Sequence, residues 1–297
     1  MDIAVMEPIT LPGVAAGDFI HQIKWDGIRG LSVIENGAVS VFSKSGRDAT
    51  AAYPELQALT KQMDAKQAVL DGEIVVFADG RPSFYHALKR SRVHSPAMAA
   101  QYPVRYVVFD LVMLNGQDIR KEPIERRQML LKSRFTASAS IALADSFGEG
   151  EALFSLMKKK NMEGIVSKRR GSLYVAGKSH SDWFKTKTAR KLLCAVTGVH
   201  FNEGQAASLS LGVYREGQLI PAGHVGTGVS QDDLKRMAEY AKREGTRMGK
   251  DDILLEPRLT CWVRFAEWTP TMTLRHPVML GFADKVPLEA NGEEISL

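Results

Sequence analysis

Short apolar segments of period two recur along this chain, and near residue 190 the elements between them change, so the chain reads as two packed units of different texture. Segments 19–23, 31–33, 39–42, 68–77, 104–112, 164–168 and 183–187 carry the β-branched, aromatic or alternating residues of strands. Helical patterns separate them. Residues 53–63 space Leu56, Leu59 and Met63 on one face, Pro123 suits the first turn of a helix running to about residue 135, and 151–160 is apolar at Leu153, Phe154 and Met157. Past residue 190 the strands are 192–201, 208–215, 219–225 and 259–267, with glycine-rich turns. One helix joins them, starting at Ser230 with Asp233 as capping partner and running through Leu234, Met237, Ala238 and Ala241. The pattern predicts an α+β chain, with an α+β domain over 1–190 and a small β-barrel of OB type over 191–297.

A length of 297 residues suits two domains with real cores. The two cysteines, Cys194 and Cys261, are too few and too far apart for a disulfide framework or a thiolate zinc cluster, which predicts a reducing, cytoplasmic setting. The first eight residues hold Asp2 and Glu7 and no basic leader, and no apolar run reaches about 18 residues, so neither an export signal nor a membrane span is expected. The net charge of +5 hides a local excess. Between Lys158 and Lys191 lie eleven Lys or Arg against two acids, Glu163 and Asp182, a net of +9 that leaves −4 for the rest. A solvated helix end with surface loops is one reading. Cations interleaved with strand segments favour another, a groove for the phosphates of a nucleotide or a nucleic-acid backbone.

No GxxxxGK[ST], HExxH or GxSxG motif occurs, and Gly223 to Gly228 lacks the third glycine of a dinucleotide fingerprint, so phosphate must be bound by side chains. Lys24 follows an apolar strand and precedes Asp26, Gly27 and Arg29. That stretch reads either as a hairpin turn at Asp26-Gly27 or as a strand-end lysine nucleophile. A nucleophilic lysine must lose its proton, and cations at 168, 185 and 187 could lower its pKa if their strands adjoin it. Asp71, Glu73 and Glu163 each stand at a strand entry, as turn residues or as hard oxygen ligands for Mg²⁺. In Trp183-Phe-Lys185-Thr-Lys187 the period of two puts two ammonium groups on one face, as a phosphate clamp or as the gatekeepers of an edge strand.

Lys24-Trp-Asp-Gly-Ile-Arg29, Ser45-Gly-Arg47-Asp48, Asp71-Gly-Glu73, Val108-Phe109-Asp110, Glu163-Gly-Ile-Val-Ser-Lys168 and Trp183-Phe-Lys-Thr-Lys187 resemble, in order and spacing, the nucleotidyltransferase motifs of ATP-dependent DNA ligases. Gly223-His-Val-Gly-Thr-Gly228 and Leu274-Arg-His-Pro277 resemble the OB domain of bacterial end-joining ligases of the ligase D type. The resemblance covers nearly the whole chain and implies an adenylation (nucleotidyltransferase) domain of antiparallel sheets and helices over 1–190, an OB-fold over 191–297, and a freestanding ligase core.

It further implies that Lys24 attacks the α-phosphorus of ATP, giving lysyl-AMP and pyrophosphate, with Asp26, Lys185 and Lys187 also in the catalytic set. Arg29 and Glu73 would hold the ribose, Phe109 would stack on adenine and Gln22 would meet its edge, with Ile23 and Lys168 also lining the nucleotide site. Glu163, with Glu73, would bind Mg²⁺ or Mn²⁺, and Lys185 with Lys187 would neutralise the α-phosphate. Arg47, Lys44 and Arg275 would contact DNA. The family's terminal Arg-x-Asp-Lys motif reads here Gly281-Phe-Ala-Asp284-Lys285, without its arginine, and Arg275 is the candidate substitute. The implied partners are duplex DNA with nicks or ends and end-joining repair proteins, the chain acting as a monomer. Two alternatives stand beside this one: an RNA ligase or capping-type nucleotidyltransferase, and a noncatalytic DNA-end-binding module.

Overall fold

A computed structural model describes residues 4–78, 80–93, 95–188 and 190–296, and the chain divides into two compact units, Met1–Thr188 and Ala189–Leu297. The first unit holds β1 (Glu7–Thr10), β2 (Phe19–Lys24), β3 (Ile28–Glu35), β4 (Ala38–Ser43), β5 (Gln67–Ala78) and β6 (Arg81–Pro82). After these come β7 (Val104–Leu114), β8 (Gln117–Asp118), β9 (Ile141–Leu143), β10 (Gly164–Arg169) and β11 (Ser179–Lys187). Its helices are α1 (Leu59–Gln62), α2 (Phe84–Arg92), α3 (Pro96–Gln101), α4 (Ile124–Ser133) and α5 (Gly150–Lys159).

Two sheets result. The larger has the path β4-β3-β5-β7-β8, with β6 on β5 and β9 on β7, and the smaller has the order β1-β11-β10-β2. Leu70, Ile74 and Val76 of β5 and Tyr106 and Val108 of β7 point into the main core against Leu56, Leu59 and Leu131. Their alternating partners Val75, Val107 and Phe109 turn to the opposite face, where Trp25 joins them.

Two expectations change here. Residues 53–63 form no continuous helix but a three-ten turn, Pro54–Ala58, followed by the single turn of α1. Leu56 and Leu59, three apart, eclipse one another in three-ten geometry, so both reach the core without a regular α-helix. Helices α2 and α3 lie where the apolar pattern is weak; each begins at a serine, Ser83 and Ser95, whose hydroxyl accepts from the backbone N–H three residues on.

The second unit, of OB type, is organised by β12 (Arg190–Asn202), a 13-residue strand. Its neighbours are β13 (Gln205–Arg215), β14 (Gln218–Val225), β15 (Thr246–Met248), β16 (Asp252–Leu254) and β17 (Thr260–Phe265). The remainder are β18 (Glu267–Trp268), β19 (Leu274–Arg275), β20 (Val278–Ala283) and β21 (Glu294–Ser296). The first half of β12 pairs with β17 and β21, and its second half pairs with β16, so one strand serves two arms of the sheet. Helix α6 (Gln231–Glu244) starts as expected, with the Ser230 hydroxyl accepting from the Asp233 N–H at 3.0 Å, and buries Leu234, Met237 and Ala241.

Candidate active site

The smaller sheet of the first unit assembles the basic segments. Strand β11 lies between β1 and β10, and β10 pairs with β2, so Trp183-Phe-Lys185-Thr-Lys187 is interior to its sheet rather than an edge strand. Antiparallel register aligns Lys24 with Gly164 and Gly164 with Lys187; the next row on the same face is Gln22, Val166 and Lys185, and the third is Ile20, Lys168 and Trp183. The hairpin reading of Asp26-Gly27 is overturned, because β2 and β3 belong to different sheets. Gly27 makes that crossing close: a Cβ there would fall 2.4 Å from the Ile74 carbonyl oxygen.

At the end of the first row, Lys24 Nζ donates to Glu163 Oε2 at 2.6 Å, and Lys187 Nζ lies 3.2 Å from Glu163 Oε1. One carboxylate thus bridges two ammonium groups. Burial works to lower the pKa of Lys24, but the carboxylates of Glu163, Glu73 and Asp26 outweigh it, so the amine is held above its ordinary value. The expectation that cations would lower it fails for the resting chain: the strands do adjoin, but Glu163 stands nearest. Glu73, cross-strand from Arg29, is pushed up to about 8 by loss of water, with Lys24 and Arg29 pulling it down and Glu163 and Asp71 pushing it further up.

Asp71 is no free metal oxygen. It is sealed from solvent and accepts from Arg29 Nε at 2.6 Å, from Arg29 Nη2 at 2.5 Å and from the Tyr174 hydroxyl at 2.6 Å. Arg29, so anchored, lies 4.7 Å from the centroid of the Phe109 ring. Lys168 is 1% exposed; its ammonium donates to the Phe109 carbonyl at 3.2 Å and sits 4.5 Å from that ring and 4.1 Å from the Trp183 ring. Lys168, expected among the nucleotide contacts, thus holds its ammonium against the Phe109 carbonyl and ring. Burial drives its pKa down to about 7, aided by Arg29 and Arg127 and opposed by Asp110 and Asp71. Beside it Arg127 donates to both Asp110 oxygens, at 2.8 and 3.0 Å, in a pair wholly out of water.

Residues 9–187 match the ATP dependent DNA ligase domain, and residues 202–285 match the ATP dependent DNA ligase C terminal region. The chain belongs to the ATP-dependent DNA ligase family. It is 33% identical to the multifunctional non-homologous end joining DNA repair protein LigD of Mycobacterium tuberculosis, a match that takes in 94% of this chain and 38% of that protein. It is 29% identical to the LigD of Pseudomonas aeruginosa, over 93% of this chain and 35% of the relative. The chain thus spans little more than a third of the length of these curated relatives. A solved mycobacterial DNA ligase D complexed with ATP and MES is 32% identical, with a TM-score of 0.58 and 98% of both chains covered. The ligase domain of M. tuberculosis LigD has a TM-score of 0.55 at the same identity and coverage.

In this ligase-family chain the expected site residues separate into four groups. Lys24, Asp26, Arg29, Glu73, Phe109, Glu163 and Lys187 converge, and Gln22 and Lys185 occupy the adjoining row on the same face. Ile23 does not join them: its side chain packs on the other face with Leu153, Met157 and Ile165. Lys44 is exposed and pairs with Glu7 at 2.6 Å, and Arg47 follows in the same exposed loop. Arg275, Asp284 and Lys285 lie in the second unit, where Arg275 pairs with Glu267 at 2.7 Å and Lys285 with Glu289 at 2.8 Å. Sequence reasoning missed the supports Tyr174 and Arg127, and gave Asp110 of the Val108-Phe109-Asp110 motif no role of its own. Tyr174 reaches Asp71 across 103 positions and Arg127 reaches the Ser172 carbonyl across 45, separations no local pattern reveals.

Among the described residues, no group of three or more His, Cys, Asp or Glu side chains is placed to hold a metal ion. Glu163 and Glu73 supply two carboxylates, and burial first and then the charge of Glu163 hold the Glu73 pKa up, a setting that a divalent cation relieves. Mg²⁺ commonly binds through one or two carboxylates and completes its shell with water and substrate phosphate, so these residues fit such an ion. No helix among the described residues is long and apolar enough to cross a membrane.

Proposed function

We propose that this chain is an ATP-dependent DNA ligase that seals 5′-phosphate and 3′-hydroxyl ends of duplex DNA in end joining, in the bacterial cytosol. The observation that carries the reading is the row Lys24, Gly164 and Lys187 with Glu163 across its end, in a chain of this family. The Lys24 amine, once free of its proton, attacks the α-phosphorus of ATP; the P–N bond forms, the bond to the bridging oxygen breaks, and pyrophosphate leaves. Lys187 and Lys185, two residues apart on one strand face, oppose the charge on the α-phosphate. Phe109 offers its ring to adenine, with Arg29 and Glu73 beside it for the ribose. Bound at Glu163 and Glu73, Mg²⁺ or Mn²⁺ would supply further positive charge to the α-phosphate. AMP then passes to the 5′-phosphate of DNA, and attack by the 3′-hydroxyl releases it. In such in-line transfers the protein's work is positioning and charge neutralisation, which this row of cations supplies.

The test is labelling with ATP carrying a radioactive α-phosphate. A covalent label that survives denaturation and is lost in acid, as a phosphoramidate is, supports the reading. Lys24→Ala should abolish both the label and nick sealing while DNA binding persists; ATP-dependent sealing by that variant overturns the assignment.

A further inference from the structure

A polar chain ends on Gln22, the residue proposed to meet the adenine edge. Gln22 is 2% exposed and sits on the same face of β2 as Lys24. Its amide Nε2 donates to Ser146 Oγ at 3.1 Å, and the Ser146 hydroxyl donates to Gln128 Oε1 of α4 at 3.2 Å. Ser146 is placed by backbone pairing: the His21 N–H donates to the Phe147 carbonyl at 2.9 Å and the Phe147 N–H to the His21 carbonyl at 2.8 Å. Continuing that antiparallel register sets Ser146 opposite Gln22.

The polarity of this chain has a chemical consequence. A serine hydroxyl has one proton, and here it goes to Gln128, so toward Gln22 the serine can only accept. Gln22 must then turn its NH₂ to Ser146 and its carbonyl Oε1 the other way. An outward carbonyl accepts from the 6-amino group of adenine and meets the 6-oxo group of guanine as a second acceptor. We infer that Ser146 and Gln128 are positioning residues that fix the Gln22 amide and so make the site choose ATP over GTP. This inference rests on the reading of Gln22 as the adenine-edge residue of the proposed ligase. A site that must bond a substrate N–H discriminates well only if its own acceptor cannot flip, because a flipped amide would serve guanine equally.

The experiment measures lysyl-AMP and lysyl-GMP formation from ATP and GTP by the purified chain and its variants, with thermal unfolding as a folding control. Ser146→Ala frees the amide to rotate, so the ratio of kcat/KM for ATP over GTP should fall by about tenfold, mostly through a higher KM for ATP. Ser146→Thr, which keeps the hydroxyl, should restore the ratio. Gln128→Leu leaves the serine proton undirected and should lower the ratio by a smaller factor. Gln22→Glu can only accept, and should keep the choice of ATP whatever happens to KM. A folded Ser146→Ala chain with an unchanged ratio overturns the inference, as does loss of ATP preference in Gln22→Glu. If wild type takes label from neither nucleotide, the proposed function itself falls and the inference with it.

Discussion

The two units differ in how much charge they bury. Beside exposed pairs such as Arg134–Asp64 and Arg170–Asp18, the first has a buried set: Arg127 and Asp110 are both sealed from water, Asp71 is sealed against Arg29, and Lys168 lies under two aromatic rings. The second keeps most of its pairs in water, with Arg236–Asp233, Arg243–Glu244, Arg258–Glu256 and Arg275–Glu267 all substantially exposed, and places the buried Cys194 and Cys261 side by side on the paired strands β12 and β17. Arg190–Glu294 is its buried exception among the described residues. Buried ions are poor stabilisers, since desolvation offsets most of their attraction. A unit that retains several of them beside one face is using them to hold side chains in fixed places, and in the first unit that face carries Lys24, Glu163 and Phe109.

The largest effect should come from breaking the bridge itself. Glu163→Gln removes one charge between Lys24 and Lys187, and formation of lysyl-AMP should fall by about a hundredfold or more, the scale of losing one preorganised charge at a reacting phosphate. Raising Mg²⁺ or Mn²⁺ should recover part of the loss. Equal rate and equal metal dependence in variant and wild type would return Glu163 to the role of a turn residue.

Next in size is a loss of stability. Arg127→Ala strands Asp110 as an unpaired buried carboxylate, and urea unfolding should lose about 3–5 kcal/mol. Arg258→Ala in the second unit, an exposed pair, should cost less than about 1 kcal/mol. Replacing Arg127 and Asp110 together by apolar residues of similar size should recover most of the first loss; if it does not, the pair is more than a self-satisfied anchor.

This contrast also decided what the sequence could reveal. The strands of β2, β5, β7, β10 and β11 were legible because each alternates over several residues, and the cap at Ser230 because it is a local signal. The motif residues on those strands could be named, and their convergence follows once β2, β10 and β11 are neighbours. The support layer was not legible. Tyr174 reaches Asp71 across 103 positions and Lys168 reaches Phe109 across 59, and neither residue type announces such a partner. The short strands β15, β16, β18 and β19 have too few residues to show a period. The pKa of Lys24 was read in the wrong direction because the cations at 168, 185 and 187 said nothing of the Glu163 carboxylate that ends up touching it.

Lys168 offers a subtler probe of the same contrast. Its ammonium has a pKa near 7 in the folded chain against an ordinary 10.5, so between those values the unfolded chain binds a proton that the native chain does not. Stability from this group therefore rises with pH across that window, by up to about 1.4 kcal/mol per unit, and is flat below it, where both states are protonated. Measured against Lys168→Met by urea unfolding, wild type should gain stability between about pH 7 and about pH 9 and show a constant difference below about pH 6. A difference that stays constant throughout would mean that Lys168 keeps its proton in the fold.

The smallest structural effect, and the most pointed functional one, belongs to Arg275. Its pair with Glu267 joins β18 and β19 at 2.7 Å in open solvent, so Arg275→Ala should change stability by less than about 1 kcal/mol, and any change in rate then reports on the reaction. Gly281-Phe-Ala-Asp284-Lys285 lacks the arginine that the family's terminal motif carries, and Lys285 is tied to Glu289 at 2.8 Å. If Arg275 stands in for it, Arg275→Ala slows lysyl-AMP formation severalfold while chain already carrying AMP seals a nick at the wild-type rate. The opposite pattern, slowed sealing of pre-adenylated DNA with normal labelling, makes Arg275 a backbone-phosphate contact, and the variant's binding should then depend less steeply on salt. Unchanged labelling and unchanged sealing would leave Asp284 and Lys285 as the residues of the terminal motif that act.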